Sequence, residues 1–185
     1  YSVVACKILC SFTQRGWAMN FNLKAALFRP VLKMAMERVG HGKLLGFTIT
    51  KVARGQVTLT CPYDSKTVGN PLTGVVHGGI IVSLLDTCCG AAAMSAMGKP
   101  AVAPTMDLRL DYMHPATPNE PIFVSGTVYK TTSSVIFCRG MAWQQDENNP
   151  IAHCVATFMR LDLDRVQFSG VIKSGFKKLL SRVKE

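Results

Sequence analysis

The sequence predicts an α+β fold in which one long, buried helix is wrapped by a mainly antiparallel sheet of about six strands. The first observation is that residues 67–98 contain one charged side chain, Asp86, and that residues 80–98 are apolar or small on every side. The second is a pair of β-like runs before this stretch, at 44–52 and 56–63. The third is a set of β-like runs after it, at 101–112, 122–130, 135–145 and 151–163. Because a helix that is apolar all round belongs in a core, the strands are expected to pack against it.

The apolar run has a second interpretation, since its length is also about right for a membrane span. A central Asp86, glycines at or inside the ends of the run and the lack of aromatic anchors favour a buried helix instead. The tripeptide His77-Gly78-Gly79 stands where this helix should begin. Glycines leave the unpaired N–H groups of a first turn uncovered, and that end of a helix suits a developing oxyanion.

A lone carboxylate in a buried helix has two explanations, which the position of Asp86 does not separate. It is either a structural group satisfied by backbone or hydroxyl donors, or a catalytic carboxylate. Gly78 and Asp86 are eight residues apart, which is about 12 Å along a helix axis. If both act on one carbonyl group, the second must come from another subunit, and a two-fold pair of helices would build each site twice.

The strands carry turn signals at their ends. Arg54-Gly55 indicates a hairpin between the first two strands, and residues 131–134 and 148–150 indicate turns between later ones. In the strand predicted at 101–112, alternate residues form two sets, which are expected to lie on opposite faces of the sheet. The first set is Met106, Leu108, Leu110 and Tyr112, and the second is Thr105, Asp107, Arg109 and Asp111.

Both ends of the chain are expected to lie outside this domain, which gives segments at 1–43, 44–163 and 164–185. The apolar stripe at 21–39 predicts a helix that is interrupted at Pro30 and ended by Gly40-His41-Gly42, with His41 as a loop residue. Residues 168–185 predict a basic amphipathic helix. Its basic face is either solvated, with the helix packed on the domain, or binds a membrane surface or a partner.

The charge distribution argues against nucleic acid as a partner. The net charge is +10. Residues 1–43 hold seven Lys and Arg against one Glu, and residues 168–185 hold five against one, so the middle of the chain is neutral. A nucleic-acid interface needs a basic face with stacking aromatic residues, and the neutral middle does not supply one.

The cysteine pattern indicates a reducing, cytoplasmic location and no metal site. Seven Cys are present, which is an odd number, and no C-x-x-C spacing occurs. Cys88 and Cys89 are adjacent on the predicted helix and are expected to act as small apolar residues. A cysteine nucleophile is disfavoured, because no cationic neighbour in sequence would lower its pKa.

Two stretches together resemble a known family, the hotdog-fold acyl-CoA thioesterases of the PaaI type. The first is the segment from Asn70 through Val75-Val76-His77-Gly78-Gly79 to Leu84-Leu85-Asp86-Thr87. The second is Met106-Asp107-Leu108-Arg109-Leu110-Asp111-Tyr112-Met113-His114-Pro115-Ala116. The resemblance covers about residues 44–163 and leaves both ends outside it.

The resemblance implies hydrolysis of an acyl-CoA thioester at a dimer interface, without a metal or other cofactor. Asp86 matches the catalytic carboxylate, as a nucleophile or as a general base for water, and the Gly78 N–H matches the group that polarises the thioester carbonyl. His77 and Asn70 match residues that orient the loop and the thioester. Thr105 matches a residue that helps to position water, while Gly79 and Thr87 adjoin the substrate.

Other interpretations remain open at this point. His77 is also explained as a loop anchor, and Thr105 as an ordinary sheet hydroxyl. The chain is expected to bind acyl-CoA and to associate with copies of itself. The expected assembly is at least a homodimer, with a homotetramer favoured. The alternative functions are a non-catalytic acyl-CoA-binding or regulatory hotdog module, and a hotdog enoyl-CoA hydratase, which would need an Asp/His pair at the helix. Met94, Met97, Met106 and Met113 are candidate lining residues of an acyl pocket.

Overall fold

The computed structural model describes residues 40–97 and 101–162, and it confirms the α+β architecture of a long helix packed on a six-stranded antiparallel sheet. The helices are α1 (Gly40–Leu45) and α2 (Gly78–Met97). The strands are β1 (Thr48–Ala53), β2 (Gln56–Cys61), β3 (Val68–Asn70), β4 (Val75–Val76), β5 (Ala101–Val102), β6 (Thr105–Tyr112), β7 (Ile122–Thr131), β8 (Val135–Trp143), β9 (Ala152–Met159) and β10 (Leu161–Asp162). A short 3-10 helix spans Ser65–Thr67.

The main sheet has the strand order β1-β2-β7-β8-β9-β6, and each neighbouring pair is antiparallel. Strand β6 is therefore an edge strand of this sheet. Strands β3 and β4 form a separate two-stranded ladder, and β5 pairs with β10. The predicted hairpin through Arg54-Gly55 is confirmed, since Gly55 has the positive φ of 70° that the turn between β1 and β2 requires.

Helix α2 lies directly on the sheet, as predicted. Leu84, Leu85 and Cys88 are fully buried between α2 and the strands, and each large apolar side chain so buried contributes about 1.5–3 kcal/mol. The helix approaches β7 so closely that a methyl group added at Gly126 would lie 3.0 Å from the backbone of Cys88. Although α2 is long and apolar enough to cross a bilayer, it is the core helix of this sheet.

One expectation about α2 was wrong, because the helix is not buried on all sides within one protomer. A strip along it that includes Ser83, Asp86 and Gly90 is only partly buried. These residues are three or four apart, so they share one face of the helix. The more buried faces of α2 contact the sheet, while on this strip Asp86 reaches Thr105 of β6. A methyl group added at Gly90 would lie 3.4 Å from the Phe158 ring of β9. Asp86 is therefore half-buried rather than enclosed in the core.

The predicted start of the first strand, at residue 44, was also wrong. His41 lies in α1 rather than in a loop, and Leu44, which was assigned to the first strand, belongs to the same helix. The helix ends at Gly46, whose φ is 68° and whose N–H donates to the carbonyl oxygen of Gly42 over 3.0 Å. A glycine in this left-handed conformation is a common helix C-terminus. The predicted helices at 21–39 and 168–185 lie outside the described residues.

The strand predicted at 101–112 is divided into β5 and β6, with Pro104 between them. Within β6 the pairing with β9 shifts between Thr105 and Asp107, so Met106 is an additional residue in the ladder. Such a bulge changes the face on which the residues before it lie. Thr105 therefore lies on the side of α2 together with Leu108, and its predicted place beside Asp107 and Arg109 was wrong.

Candidate active site

The first turn of α2 is held by His77, which stands immediately before the helix. The His77 ring accepts a hydrogen bond at Nδ1 from the N–H of Gly79 over 3.0 Å, and its carbonyl oxygen accepts one from the N–H of Ile80 over 2.9 Å. A ring nitrogen that accepts this bond leaves the proton of the neutral imidazole on Nε2. His77 thus satisfies two of the donors that a helix start leaves without partners.

Contacts with Thr67 and Gly69 fix the position of the His77 backbone. Its N–H donates to the carbonyl oxygen of Thr67 over 2.8 Å, at the end of the 3-10 helix. On the other side it contacts β3, where a methyl group added at Gly69 would lie 2.7 Å from the Cα of His77. No larger residue fits at position 69 without moving the backbone of His77. The two-stranded ladder of β3 and β4 therefore supports the N-terminus of α2.

The N–H of Gly78 is not used by this capping arrangement. It has no hydrogen-bond partner among the described residues. The carbonyl oxygen of the same residue accepts a hydrogen bond from the hydroxyl of Tyr112 over 2.9 Å. Gly78 and Tyr112 border a mostly apolar cleft of about 370 Å³, whose walls include Ile81, Met113 and Ile151. A positive helix end with a free N–H beside an apolar cleft is suited to a polarised carbonyl group of an otherwise apolar ligand.

Asp86 lies about two turns further along α2, on the partly exposed strip. One of its carboxylate oxygens, Oδ1, accepts a hydrogen bond from the hydroxyl of Thr105 over 2.8 Å. In the part of the chain that the structure describes, no Lys, Arg or His forms an ion pair with this carboxylate. A carboxylate with one hydroxyl donor keeps several lone pairs free, so it is able to accept a proton or attack an electrophile.

The structure brings some predicted residues together and leaves others apart. Asn70 does not contact His77 or Gly78 through its side chain; its Oδ1 accepts a hydrogen bond from the N–H of Leu72 over 3.0 Å and shapes the exposed loop between β3 and β4. Thr87 is half-buried beside Asp86, and its hydroxyl makes no hydrogen bond within the described ranges. Of the four candidate methionines, Met113 lines the cleft, Met106 and Met113 are both more than half exposed, and Met94 and Met97 pack partly buried against the core.

The five cysteines that the structure describes, Cys61, Cys88, Cys89, Cys138 and Cys154, are buried, as predicted for Cys88 and Cys89. Burial raises the pKa of the Cys61 thiol to about 11 and that of the Cys138 thiol to about 12. The hydrogen bond with Cys154 and burial together raise the pKa of the Cys89 thiol. Since a thiolate is the reactive form of cysteine, these thiols are poor nucleophiles. Across residues 40–97 and 101–162, no group of three His, Cys, Asp or Glu side chains is placed to hold a metal ion.

Sequence reasoning missed two residues of this site. Tyr112 was recognised only as an apolar member of a strand face, although its hydroxyl contacts Gly78. Gly69 was part of a polar loop without an assigned role. An aromatic hydroxyl that ends a strand was the available signal for Tyr112, but nothing in the sequence gave the distance between the strand and the helix start.

Comparisons with known proteins relate the sequence around this site to thioesterases. A family model described as the thioesterase superfamily matches residues 73–151, which include all of α2 and β6. A protein of Halobacterium salinarum named as an esterase is 41% identical over 81 residues, or 41% of this chain and 54% of that protein. The chain therefore spans about half the length of this curated relative. Acyl-coenzyme A thioesterase 13 of Mus musculus is 26% identical over 110 residues, which cover 59% of this chain and 76% of the mouse protein.

Solved structures extend the similarity over most of the described fold. A protein of Pseudomonas aeruginosa of known crystal structure is 40% identical, with a TM-score of 0.65, and the match covers 72% of this chain and 98% of that chain. The PaaI protein from the phenylacetic acid degradation operon of E. coli is 18% identical and shares the fold, with a TM-score of 0.67 over 77% of this chain and 97% of that chain. The chain therefore resembles the thioesterase superfamily over residues 73–151 and shares the hotdog fold of the PaaI protein.

Proposed function

We propose that the protein hydrolyses acyl-CoA thioesters to a free acid and coenzyme A. The observation that carries the proposal is the pairing of a free backbone donor, the Gly78 N–H, with a half-buried and hydrogen-bonded carboxylate, Asp86, on one helix. The match to the thioesterase superfamily over residues 73–151 supports thioester hydrolysis in general. The name of the mouse relative, an acyl-coenzyme A thioesterase, supports acyl-CoA as the substrate class.

In the proposed reaction, the thioester carbonyl accepts a hydrogen bond from the Gly78 N–H. Asp86 takes a proton from a water molecule, and the water oxygen attacks the carbonyl carbon. The negative charge that develops on the carbonyl oxygen is stabilised by the Gly78 N–H and the positive end of α2, and one such donor typically lowers the barrier by about 2.7–4 kcal/mol. The C–S bond then breaks, and the departing thiolate of coenzyme A takes the proton from Asp86.

In a second variant of the proposal, Asp86 is the nucleophile itself. In that variant, a carboxylate oxygen attacks the carbonyl carbon and the thiolate departs, which leaves a mixed anhydride that water hydrolyses. Thr105 serves either variant, because its hydroxyl donates a hydrogen bond to Oδ1 of Asp86 and so fixes the direction of the carboxylate. Thr105 then also stands where it can contact the attacking water.

We further propose that the two groups of one site come from two protomers. Along α2 the Gly78 N–H and Asp86 are about 12 Å apart, which is too far for both to act on one carbonyl group of a single bound thioester. The strip of α2 that includes Ser83, Asp86 and Gly90 is partly exposed, so it is available to a second copy of the chain. A two-fold axis beside this strip would place the Gly78 of one protomer opposite the Asp86 of the other, in a homodimer or in each half of a tetramer.

The direct experiment measures release of coenzyme A from a panel of acyl-CoAs, as free thiol, for the wild type, Asp86→Asn and Asp86→Ala. Asn keeps the shape of the side chain but is a much weaker base and nucleophile, so the rate is expected to fall at least about 100-fold. The control is Asp146→Asn, the same change in an exposed turn, where the acceptor for the N–H of Asn148 is retained. Hydrolysis by Asp86→Asn at the wild-type rate would refute the role of Asp86. Absence of thiol release from every acyl-CoA by the wild type would favour a binding module without turnover.

A further inference from the structure

The peptide group between Gly78 and Gly79 is held at both of its polar ends. Its carbonyl oxygen accepts the hydrogen bond from the Tyr112 hydroxyl over 2.9 Å, and its N–H donates to Nδ1 of His77 over 3.0 Å. Two consecutive glycines have no Cβ atoms to restrict their backbone, so this turn would otherwise sample many conformations. Besides the backbone bonds inside α2, its order therefore depends on these two side chains.

The backbone of Tyr112 is well placed for this contact, because it is the last residue of β6. Tyr112 is opposite Ala152 in the ladder with β9, and the N–H of the following Met113 donates to the carbonyl oxygen of Ile151 over 2.9 Å. The phenol extends from this fixed point across the cleft to α2. A methyl group added at Gly78 would lie 3.1 Å from the phenol oxygen, so the ring is in close contact with the helix start.

The Tyr112 hydroxyl has no other hydrogen bond in the described part of the chain, and the residue is 55% exposed. An exposed hydroxyl at such a position would ordinarily be hydrated, and apolar burial does not explain why a tyrosine rather than a phenylalanine ends the strand. The contact with Gly78 does explain the hydroxyl. Strand β6 consequently touches α2 at both groups of the proposed reaction, through Thr105 at one end and Tyr112 at the other.

From these contacts we infer that Tyr112 is a positioning residue, which orients the Gly78 N–H for the thioester carbonyl. The inference rests on the proposed function and deepens it. By fixing the peptide plane after Gly78, the hydroxyl limits rotation about the Gly78 backbone and so restricts the direction of the free N–H beside the cleft. An oxyanion donor is effective because it is oriented before the reaction begins. Tyr112 acts through that donor and takes no part in proton transfer.

The test compares Tyr112→Phe with the wild type, because phenylalanine keeps the ring against Gly78 and removes only the hydroxyl. We expect kcat to fall about tenfold, a part of the loss that follows complete removal of an oxyanion donor. KM is expected to stay within about twofold, since the cleft walls are unchanged. The matched control is Tyr129→Phe, the same substitution at another half-exposed tyrosine, whose ring packs beside Phe137 and Arg139 away from the helix start. That control should retain the wild-type kcat.

A second readout does not require activity. In substrate-free protein labelled with ¹⁵N-glycine, the order parameters of the Gly78 and Gly79 amides report how rigidly the turn is held. They should fall in Tyr112→Phe and remain unchanged in Tyr129→Phe. If kcat falls while both order parameters stay at wild-type values, or if Tyr112→Phe equals the wild type in rate and order, the positioning role is refuted. If no variant and no wild-type sample releases thiol but the order parameters fall as expected, the proposed function fails while the positioning of the turn by Tyr112 stands.

Discussion

The hydroxyl of Thr105 donates a hydrogen bond to Oδ1 of Asp86 over 2.8 Å, although the two residues are 19 positions apart in the chain. The contact joins the first residue of β6 to the middle of α2. It exists because the bulge at Met106 turns Thr105 toward the helix. A carboxylate that is fixed by one oriented hydroxyl keeps its direction, which a base or a nucleophile needs.

Replacing Thr105 with Val should lower kcat for thioester hydrolysis by about tenfold or more. Valine has nearly the same shape but no hydroxyl, and a hydrogen bond to a charged group is worth about 1.5–3 kcal/mol. Thr105 is exposed, so the free energy of unfolding should change little. Steady-state kinetics and urea unfolding of the same preparations check both expectations.

The control for that prediction is Thr105→Ser, which retains the donor and loses only a methyl group. It should keep most of the wild-type kcat. Equal losses in Thr105→Ser and Thr105→Val would mean that the methyl group matters rather than the hydrogen bond to Asp86.

Replacing His77 with Asn should preserve more activity than replacing it with Ala. Asn is among the favoured residues immediately before a helix, because its side-chain oxygen accepts a hydrogen bond from an N–H of the first turn. It can therefore take over the acceptor role of Nδ1 toward Gly79. Loss of such a cap costs about 0.5–2 kcal/mol, so His77→Ala should also unfold at a lower temperature.

The pair of variants separates the two interpretations of His77. An anchoring histidine predicts that His77→Asn is several-fold more active than His77→Ala. A proton-transferring histidine predicts that both variants are equally inactive, because an amide cannot replace an imidazole in that role. Rates measured across a range of pH with one acyl-CoA distinguish these outcomes.

Replacing Gly126 with Ala should destabilise the fold by about 1–3 kcal/mol, the usual cost of overpacking. The added methyl group would lie 3.0 Å from backbone atoms of Cys88 and Cys89, and these atoms cannot move away as a side chain could. Urea unfolding followed by far-UV circular dichroism measures the effect. Thr127→Ala, the next position on the same strand, should cost less than about 1 kcal/mol. A stability of Gly126→Ala equal to the wild type would show that β7 and α2 are not so closely packed.

Much of the fold follows from patterns within single elements. The helix at 78–97 and the six main strands were predictable, because apolar runs and turn residues such as Arg54-Gly55 act locally. The end of α1 was not predictable, because either Gly42 or Gly46 is a suitable residue to end the helix. Tertiary contacts decide between the two. The face of Thr105 was also not predictable, because a single additional residue in the ladder reverses the alternation and no sequence signal marks it.

For the site, the sequence identified the residues whose chemistry is evident from their type and neighbours. Asp86 is the one charged residue in an apolar stretch, and His77-Gly78-Gly79 stands at a helix start. Tyr112 was not identified as a site residue, because its contact with Gly78 spans 34 positions and depends on where β6 crosses α2. Asn70 was assigned a role beside the thioester, which stays a prediction, since its side chain shapes its own loop within the protomer.

The central claim is that the Gly78 N–H of one protomer and Asp86 of its partner act on the same thioester. Two inactive variants test it together. Gly78→Pro removes the N–H at the first helical position, where proline is well tolerated. Gly78→Ala keeps the N–H and controls for the contact with Tyr112. Asp86→Asn removes the carboxylate. As homodimers, Gly78→Pro and Asp86→Asn should each have lost nearly all activity.

The most direct measurement is the rate of thiol release by a mixed dimer of Gly78→Pro and Asp86→Asn, isolated with a different affinity tag on each protomer. A site shared between protomers predicts that one of the two sites in this dimer is intact, so its rate should recover to about half that of the wild-type dimer. A mixed dimer that is folded but as inactive as its two parents would contradict the account, because it would place both groups of each site on one protomer.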